Sequence, residues 1–241
     1  MSTPVLPSGV EGAPGSVEKC PLDFARGERF SIGQHHVGQA LEAELRVFAP
    51  FLCPELRLWL LPPEARSWHA TDPLALGMPY WAFAWPGGQV LARYVLDHPT
   101  LVKGKRVLDF GSGCAIEGVA AAKCGASVLC ADLDPLAGVS ALHNASLNEV
   151  ALEVTTAELI GSSLEVDVIL AGDVCYEPEL AARLLPWLRA QARRGVQVLI
   201  GDPLRVPEAL EDTARLATLE ASFDGDPRGL TLWPTHVLAF R

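Results

Sequence analysis

Strand-length apolar runs alternate with helix-length segments along the chain after Lys105. Such alternation is typical of βαβ units, in which a helix connects one parallel strand to the next. The helices are predicted at 116–123, 135–148 and 178–194, and the strands at 107–110, 127–131, 150–155, 166–171, 196–201, 216–223 and 232–240. The pattern therefore predicts an α/β fold with a seven-stranded, mostly parallel sheet flanked by helices.

The residues before position 78 follow a different pattern. About the first thirty are rich in Pro, Gly and Ser and have no periodicity, so we expect a mobile start. The apolar spacing from Leu41 to Phe48 then predicts a short helix, and 56–60 is expected to be extended. We therefore divide the chain into an N-terminal extension, 1–77, and one main domain, 78–241.

Composition and charge exclude several classes of protein. With 49% hydrophobic and 20% charged residues among 241, the chain can bury a full core. Its 19 Lys and Arg against 29 Asp and Glu give a formal net charge of −10, which repels phosphate backbones and anionic lipid headgroups. We therefore expect neither a nucleic-acid partner nor a membrane partner.

Targeting signals and cysteine usage favour the cytoplasm. The N-terminal residues show no charged-then-apolar signal pattern, and no apolar stretch approaches the roughly 20 residues that span a bilayer. The six cysteines form no CxxC pair, and several lie in apolar runs where reduced thiols are common. We expect a cytoplasmic protein, with the mitochondrial matrix as the less favoured location.

The turn after the first predicted strand, Asp-Phe-Gly-Ser-Gly-Cys-Ala at 109–115, is the clearest candidate for chemistry. In an open parallel sheet, ligands bind beyond the carboxyl ends of the strands, and glycines let the backbone approach them closely. Asp132 ends the second strand nineteen residues after Gly113, where its carboxylate can accept hydrogen bonds from ribose hydroxyls. A Gly-x-Gly turn also occurs without a ligand, but the turn and the acid together indicate an adenosine-containing ligand.

The residues around this turn favour S-adenosylmethionine over a dinucleotide. Ile116 stands where a dinucleotide-binding fold needs a small third residue. Asp109 precedes the glycines, where a carboxylate suits the amino group or sulfonium of S-adenosylmethionine and opposes a pyrophosphate. Two alternatives remain open: Asp109 hydrogen-bonds only the loop, or the protein is a nicotinamide dehydrogenase.

Five separated motifs resemble the class I methyltransferases, and more narrowly the protein-lysine methyltransferases that modify the electron-transfer flavoprotein β subunit. The resemblance runs from about Met78 to the C terminus. It implies a Rossmann-like class I methyltransferase fold, S-adenosylmethionine as the cofactor, and lysines of the flavoprotein β subunit as the substrate. The motifs are PYWAFAWPGGQ at 79–89, VLDFGSGC at 107–114, DLDP at 132–135, GDVCY at 172–176 and LIGDP at 199–203.

The same resemblance assigns roles to individual residues. Asp173 and Tyr176 are the expected catalytic residues, at the substrate end of the site. We expect Asp173 to hold and orient the lysine while Tyr176 shapes the slot. The six histidines show no metal-ligand spacing, and no metal site is predicted. The expected cofactor-binding residues are Trp85, Asp109, Gly111, Ser112, Gly113, Asp132, Leu133 and Glu158, with Glu158 as the adenine contact.

Other functions fit parts of the same pattern. A small-amine N-methyltransferase acting on a nicotinamide-like amine would need a deep aromatic pocket, and another protein, such as a ribosomal protein, is a second candidate substrate. A binding module that holds the nucleoside without chemistry would not need Asp173 and Tyr176 together. At the level of single residues, Trp85 could pack in the core and Asp173 could cap the next helix.

Overall fold

The computed structural model describes residues 44–62, 65, 79–222, 228–229 and 231–241. The predicted mobile start lies outside these residues. Within the described ranges, no helix is long and apolar enough to cross a membrane. In chain order, the strands and α-helices are β1 (Arg46–Phe48), β2 (Leu58–Leu60), α1 (Pro86–Asp97), β3 (Arg106–Phe110), α2 (Ile116–Lys123), β4 (Ser127–Ala131), α3 (Pro135–Leu147), β5 (Glu153–Thr155), β6 (Val168–Gly172), α4 (Pro178–Arg193), β7 (Gln197–Asp202), β8 (Thr213–Ser222) and β9 (Leu232–Phe240).

Seven strands form one sheet in the order β5-β4-β3-β6-β7-β9-β8. Strands β3 to β7 pair in parallel, whereas β9 runs antiparallel to both β7 and β8. The predicted seven-stranded, mostly parallel sheet is therefore confirmed. The strand order reverses between β3 and β6, and an open sheet of this kind binds ligands in the crevice above that point.

Side chains alternate along the central strands, which gives the sheet two buried faces. Leu108 and Ile169 share a core with Leu184 of α4. Val107 and Leu170 belong to the core on the opposite face, together with residues of α1 and α2. Because neighbouring residues of a strand face opposite sides, a strand covered on both faces is apolar throughout. This is why the predicted strands appear in the sequence as continuous apolar runs.

The sequence does not predict helix α1, because its first residues have the composition of a turn. Pro86 takes the first helical position, where no backbone N–H is needed. The next two residues are glycines that bring the helix N terminus against the sheet. A Cβ on Gly87 would lie 2.6 Å from Asp173 N, and a Cβ on Gly172 would lie 2.6 Å from Gly88 N. The helix therefore begins in direct contact with the end of β6.

The N-terminal extension contributes two antiparallel strands where a short helix is predicted. β1 pairs with β2, so that Arg46 lies opposite Leu60. The helix prediction is wrong for 46–48, because Leu58 and Leu60 are buried beside α2 and β1 satisfies the backbone of that buried strand. The extended segment predicted at 56–60 is confirmed at β2.

Asn144 of α3 attaches this strand pair to the main domain. Its Oδ1 accepts a hydrogen bond from Trp59 N at 2.7 Å, and its Nδ2 donates to Cys114 O at 2.9 Å. One side chain thus links β2 to the turn that follows β3. The predicted domain boundary at 77 and 78 lies outside the described residues and stays a prediction.

Helix α3 begins where the sequence predicts. Asp134 Oδ1 accepts a hydrogen bond from Leu136 N at 2.8 Å, and Pro135 takes the first helical position. The N–H of Asp134 in turn donates to Asp132 Oδ1 at 3.0 Å. This cap leads directly from the end of β4 into the helix and orients the Asp132 carboxylate.

Candidate active site

A cavity of about 570 Å³ opens above the carboxyl ends of β3, β4 and β6. Two groups of lining residues matter for its chemistry. The turn group surrounds the glycine turn and the end of β4, and consists of Gly111, Gly113, Asp132, Leu133 and Glu158. The aromatic group surrounds the ends of β6 and β7 and the segment before α1, and consists of Tyr80, Trp85, Asp173, Tyr176 and Arg205.

Both glycines of the turn occupy backbone conformations that favour glycine. Gly111 has φ of +67° and Gly113 has φ of +49°, in the left-handed region. The Gly111 N–H donates to Ala131 O at 2.8 Å, and the Gly113 N–H donates to Asp132 Oδ2 at 2.9 Å. The turn after β3 is thus bound to the end of β4, and its backbone faces the cavity.

Asp132 lies where the sequence places it, at the end of β4 and on the cavity wall. Its two oxygens accept hydrogen bonds from the N–H groups of Gly113 and Asp134. Burial raises the pKa of Asp132, and these two hydrogen bonds act in the opposite direction. A carboxylate has about four acceptor positions, so Asp132 can hold the turn and still accept hydrogen bonds from ribose hydroxyls.

Asp109 lies beneath the turn and is not among the residues that line the cavity. Its Oδ2 accepts a hydrogen bond from Gly118 N at 2.8 Å and contacts Cys130 Sγ at 3.8 Å. Burial raises the pKa of Asp109 to about 8. Asp109 thus makes structural contacts, as the alternative to cofactor binding expects, but its partners lie in α2 and β4 and not in the loop. Ser112 is also buried and outside the cavity lining, and its N–H donates to Ala131 O.

Glu158 and Leu133 complete the turn group. Glu158 lies on the cavity wall, with Oε1 accepting from Ile160 N at 3.0 Å and Oε2 3.3 Å from Arg183 Nη2. Leu133 is 64% exposed at the cavity mouth. Both residues line the cavity, and the cofactor contact of Leu133 and the adenine contact of Glu158 stay predictions.

Three aromatic side chains lie together in the aromatic group. The rings of Tyr80 and Tyr176 are stacked with centroids 5.9 Å apart, and Trp85 lies 5.9 Å from Tyr80. Trp85 Nε1 also donates to Tyr80 O at 2.9 Å. Burial raises the pKa of the Tyr176 phenol, which is therefore neutral at neutral pH. Sequence reasoning does not single out Tyr80, although it belongs to the quoted motif at 79–89.

Both carboxylate oxygens of Asp173 have partners in the structure. Its Oδ2 accepts hydrogen bonds from the N–H groups of Gly87 and Gly88 at the start of α1, and its Oδ1 contacts Arg205 Nη1. A helix N terminus favours a negative charge, as does a guanidinium. Burial raises the pKa of Asp173, against the lowering effect of these partners. Its φ of +53° is rare for a residue other than glycine and marks a strained position.

Arg205 is a residue of this cavity that the sequence reasoning misses. It lies in the turn after β7, where its N–H donates to Asp202 Oδ1 at 2.9 Å. The available signal is its place just after the motif at 199–203, since β7 lies next to β6 in the sheet. Among the described residues, no group of three or more His, Cys, Asp or Glu is arranged to hold a metal ion.

The strand order, the glycine turn and the strand-end acid together define the fold of a class I methyltransferase. The family model for ribosomal protein L11 methyltransferase matches residues 91–175. A Streptococcus mutans protein assigned to the SAM-dependent methyltransferases superposes with a TM-score of 0.52 at 11% identity, covering 81% of this chain and 55% of that one. At this low identity, the superposition supports the fold alone.

Similarity to individual proteins identifies the family. The electron transfer flavoprotein beta subunit lysine methyltransferase of Homo sapiens is 37% identical over 182 residues, which cover 70% of each chain. That of Xenopus laevis is 46% identical over 159 residues, covering 64% of this chain and 65% of its own. The chain belongs to the family of electron transfer flavoprotein beta subunit lysine methyltransferases. It spans 65% of the length of the Xenopus laevis relative and 62% of that of Mus musculus.

Proposed function

We propose that this protein transfers methyl groups from S-adenosylmethionine to lysine side chains of the electron-transfer flavoprotein β subunit. The observation that carries the proposal is that one cavity contains both the glycine turn with Asp132 and the pair Asp173 and Tyr176. The first set suits a nucleoside, and the second suits an incoming amine. Family membership supports the same substrate, because the relatives are named for it.

The residues of the turn group fit S-adenosylmethionine. Asp132 and Glu158 of this group line the cavity together with the neighbouring Asp134, so this region is rich in carboxylates. Carboxylates accept hydrogen bonds from ribose hydroxyls and attract a sulfonium, whereas they repel a pyrophosphate. The Gly113 backbone leaves room beside the turn, since a Cβ there would meet its nearest atom, Trp81 Cα, only at 3.7 Å. When bound, S-adenosylmethionine supplies an electrophilic methyl group.

The residues of the aromatic group bind and orient the lysine. A lysine amine with a pKa near 10.4 is about three units above neutral pH, so providing the neutral amine costs roughly 4 kcal/mol without help from the site. Asp173 attracts the ammonium and orients the nitrogen as the proton leaves to water. The neutral phenol of Tyr176 forms the side of the slot with Tyr80. The contribution of the site is mainly positioning, because the amine, methyl and sulfur must lie in line.

The exposure of the cavity mouth favours a protein substrate over a small amine. Tyr80 is 53% exposed, Tyr176 45% and Leu133 64%, and all three line the cavity. An apolar rim of this kind can contact the surface around a target lysine. A small-amine methyltransferase would instead bury its aromatic residues around the substrate. The carboxylates of the cavity also suit a cationic lysine.

The test is to incubate the protein with purified electron-transfer flavoprotein and isotope-labelled S-adenosylmethionine. Intact-mass and peptide mass spectrometry should show methyl groups on lysines of the β subunit. Nicotinamide and a ribosomal protein extract serve as competing substrates in parallel reactions. An unmodified flavoprotein beside a methylated small amine or ribosomal protein would overturn the substrate assignment.

A further inference from the structure

The catalytic carboxylate of the proposed reaction already has a cationic partner. Arg205 Nη1 contacts Asp173 Oδ1, and both residues line the same cavity. The other oxygen of Asp173 is bound by the N–H groups of Gly87 and Gly88. Three of the roughly four acceptor positions of Asp173 are therefore used, and the remaining one is on Oδ1, beside the Arg205 guanidinium. A lysine ammonium that approaches this oxygen is repelled by the positive charge of Arg205.

A second carboxylate lies next to this pair. Asp202 ends β7, the strand beside β6, and its Oδ1 accepts the N–H of Arg205 at 2.9 Å. Its Oδ2 is buried and has no hydrogen-bond partner among the described residues. Asp202 also interacts electrostatically with both Asp173 and Arg205. A buried carboxylate oxygen without a donor is unfavourable, so Asp202 is an acceptor ready for a cation.

We propose that Arg205 is a positioning residue that holds Asp173 when no lysine is present and shifts to Asp202 when a lysine binds. This inference rests on the proposed function, because it gives Asp173 the lysine as its second partner. Before binding, two carboxylates share one cation. After binding, each carboxylate has a cation of its own, and the orphan oxygen of Asp202 gains a donor. Charge is thereby balanced in the buried site.

The shift has a specific consequence for kinetics. Substrate must displace Arg205, so the ease of displacement determines the KM for the flavoprotein. Asp202→Asn keeps an oxygen for the Arg205 N–H but removes the acceptor for the displaced guanidinium. The KM should then rise about tenfold, the equivalent of one charge-assisted hydrogen bond, with kcat within about threefold. Arg205→Gln removes the competitor, so its KM should fall by a factor of about two to five.

A double-mutant cycle separates this role from a structural one. In the Arg205→Gln background, Asp202→Asn should cause no further rise in KM, because no guanidinium remains to be displaced. Arg189→Gln is the matched control, since it removes an arginine pair with Asp212 outside the cavity lining and should leave KM unchanged. S-adenosylhomocysteine affinity and thermal unfolding show that each variant is folded. Equal effects of Asp202→Asn in both backgrounds, or a raised KM in Arg205→Gln, would refute the shift.

A binding measurement tests the movement of Arg205 from Asp173 to Asp202 independently of the protein substrate. n-Butylammonium has the shape of a lysine side chain and can be titrated into the protein loaded with S-adenosylhomocysteine. NMR follows the Nε–H resonance of Arg205 during the titration. This resonance is assigned as the one that is missing from the spectrum of Arg205→Gln. The resonance should move in the wild type and stay in place in Asp202→Asn. Movement without flavoprotein methylation would retain the Arg205 proposal and reject the proposed substrate. Methylation of the flavoprotein with an unmoved resonance would retain the proposed substrate and reject the Arg205 proposal.

Discussion

The carboxylate of Asp173 lies at the N terminus of α1, where its Oδ2 accepts the Gly88 N–H at 3.1 Å. Because Asp173 follows β6 and its other oxygen contacts Arg205 after β7, this one side chain joins three elements of the fold. This arrangement requires helix α1 to lie close to the end of strand β6. We therefore expect a change at Asp173 to affect local structure as well as the proposed substrate binding.

The close approach of α1 and β6 makes Gly172 intolerant of a side chain. A Cβ at Gly172 would lie 2.6 Å from Gly88 N and 2.8 Å from Gly88 Cα, both backbone atoms. Gly172→Ala should therefore destabilise the protein by about 1–3 kcal/mol, the usual range for overpacking. Urea unfolding gives the difference.

Gly138 of α3 is the matched control for this substitution. A Cβ there meets Val154 Cγ2 at 3.7 Å, an ordinary contact. Gly138→Ala should be neutral or stabilise by up to about 1 kcal/mol, because Ala favours helix more than Gly. Equal stabilities of Gly172→Ala and Gly138→Ala would contradict the described packing.

The Asp132 carboxylate should contribute strongly to cofactor binding. Asp132→Ala removes the acceptor for ribose hydroxyls and for the Gly113 N–H, and charge-assisted hydrogen bonds are each worth about 1.5–3 kcal/mol. S-adenosylhomocysteine affinity, measured by calorimetry, should fall roughly tenfold to a hundredfold. Asp167→Ala is the control, because that carboxylate accepts the Arg106 N–H at the amino ends of β3 and β6, the end of the sheet away from the cavity. Unchanged affinity in Asp132→Ala would remove this residue from the site.

Local signals predict most of the sheet but not the contacts across it. Helix α2 and strand β4 match the predicted ranges 116–123 and 127–131 to the residue, because each is a single, mainly apolar segment between turns. β5 is shorter than the predicted 150–155, covering Glu153–Thr155 at the sheet edge. Edge pairing depends on the neighbouring strand, which a local pattern does not contain.

In the candidate site, too, local sequence signals predict some residues, whereas contacts between distant elements place the others. Gly113 and Asp132 are recognisable because their spacing follows from one βαβ unit. Arg205 is 32 residues from Asp173, and only the order of β6 and β7 brings them together. The position of Asp109 below the turn depends on which way its side chain faces on a strand buried on both sides. These placements require the packed structure.

Asp109 should make stability depend on pH. Burial raises its folded-state pKa to about 8, whereas an unfolded Asp titrates near 4. Between these values the folded protein holds a proton that the unfolded chain releases, so stability should fall as pH rises from about 4 to 8. Urea unfolding at intervals from pH 5 to 8 measures this slope.

Asp109→Asn tests the origin of that slope. The amide retains an oxygen for the Gly118 N–H and carries no titratable proton. The decline in stability toward pH 8 should become shallower. Glu117, which is also buried with its pKa raised by burial and by Asp109, should account for a remaining slope that Glu117→Gln reduces. The same slope in Asp109→Asn as in the wild type would show that Asp109 is ionised throughout.

Asp173→Asn should separate substrate handling from cofactor binding. The amide can still accept the Gly87 and Gly88 N–H groups, but it loses the charge that attracts a lysine ammonium. Methyl transfer should fall by about 100-fold, while S-adenosylhomocysteine affinity stays within a few-fold. Initial rates with the flavoprotein and calorimetry with S-adenosylhomocysteine provide the two values.

The pair with Arg205 supplies the decisive control for this variant. If activity is lost only because Asp173→Asn leaves the Arg205 guanidinium without its carboxylate, then Arg205→Gln in the same chain should restore turnover. If Asp173 receives the lysine, the double variant stays inactive, because the missing charge is the one the substrate needs. Restored turnover, or a loss of cofactor affinity that parallels the loss of activity, would make Asp173 a structural link between α1, β6 and β7 and not a catalytic residue.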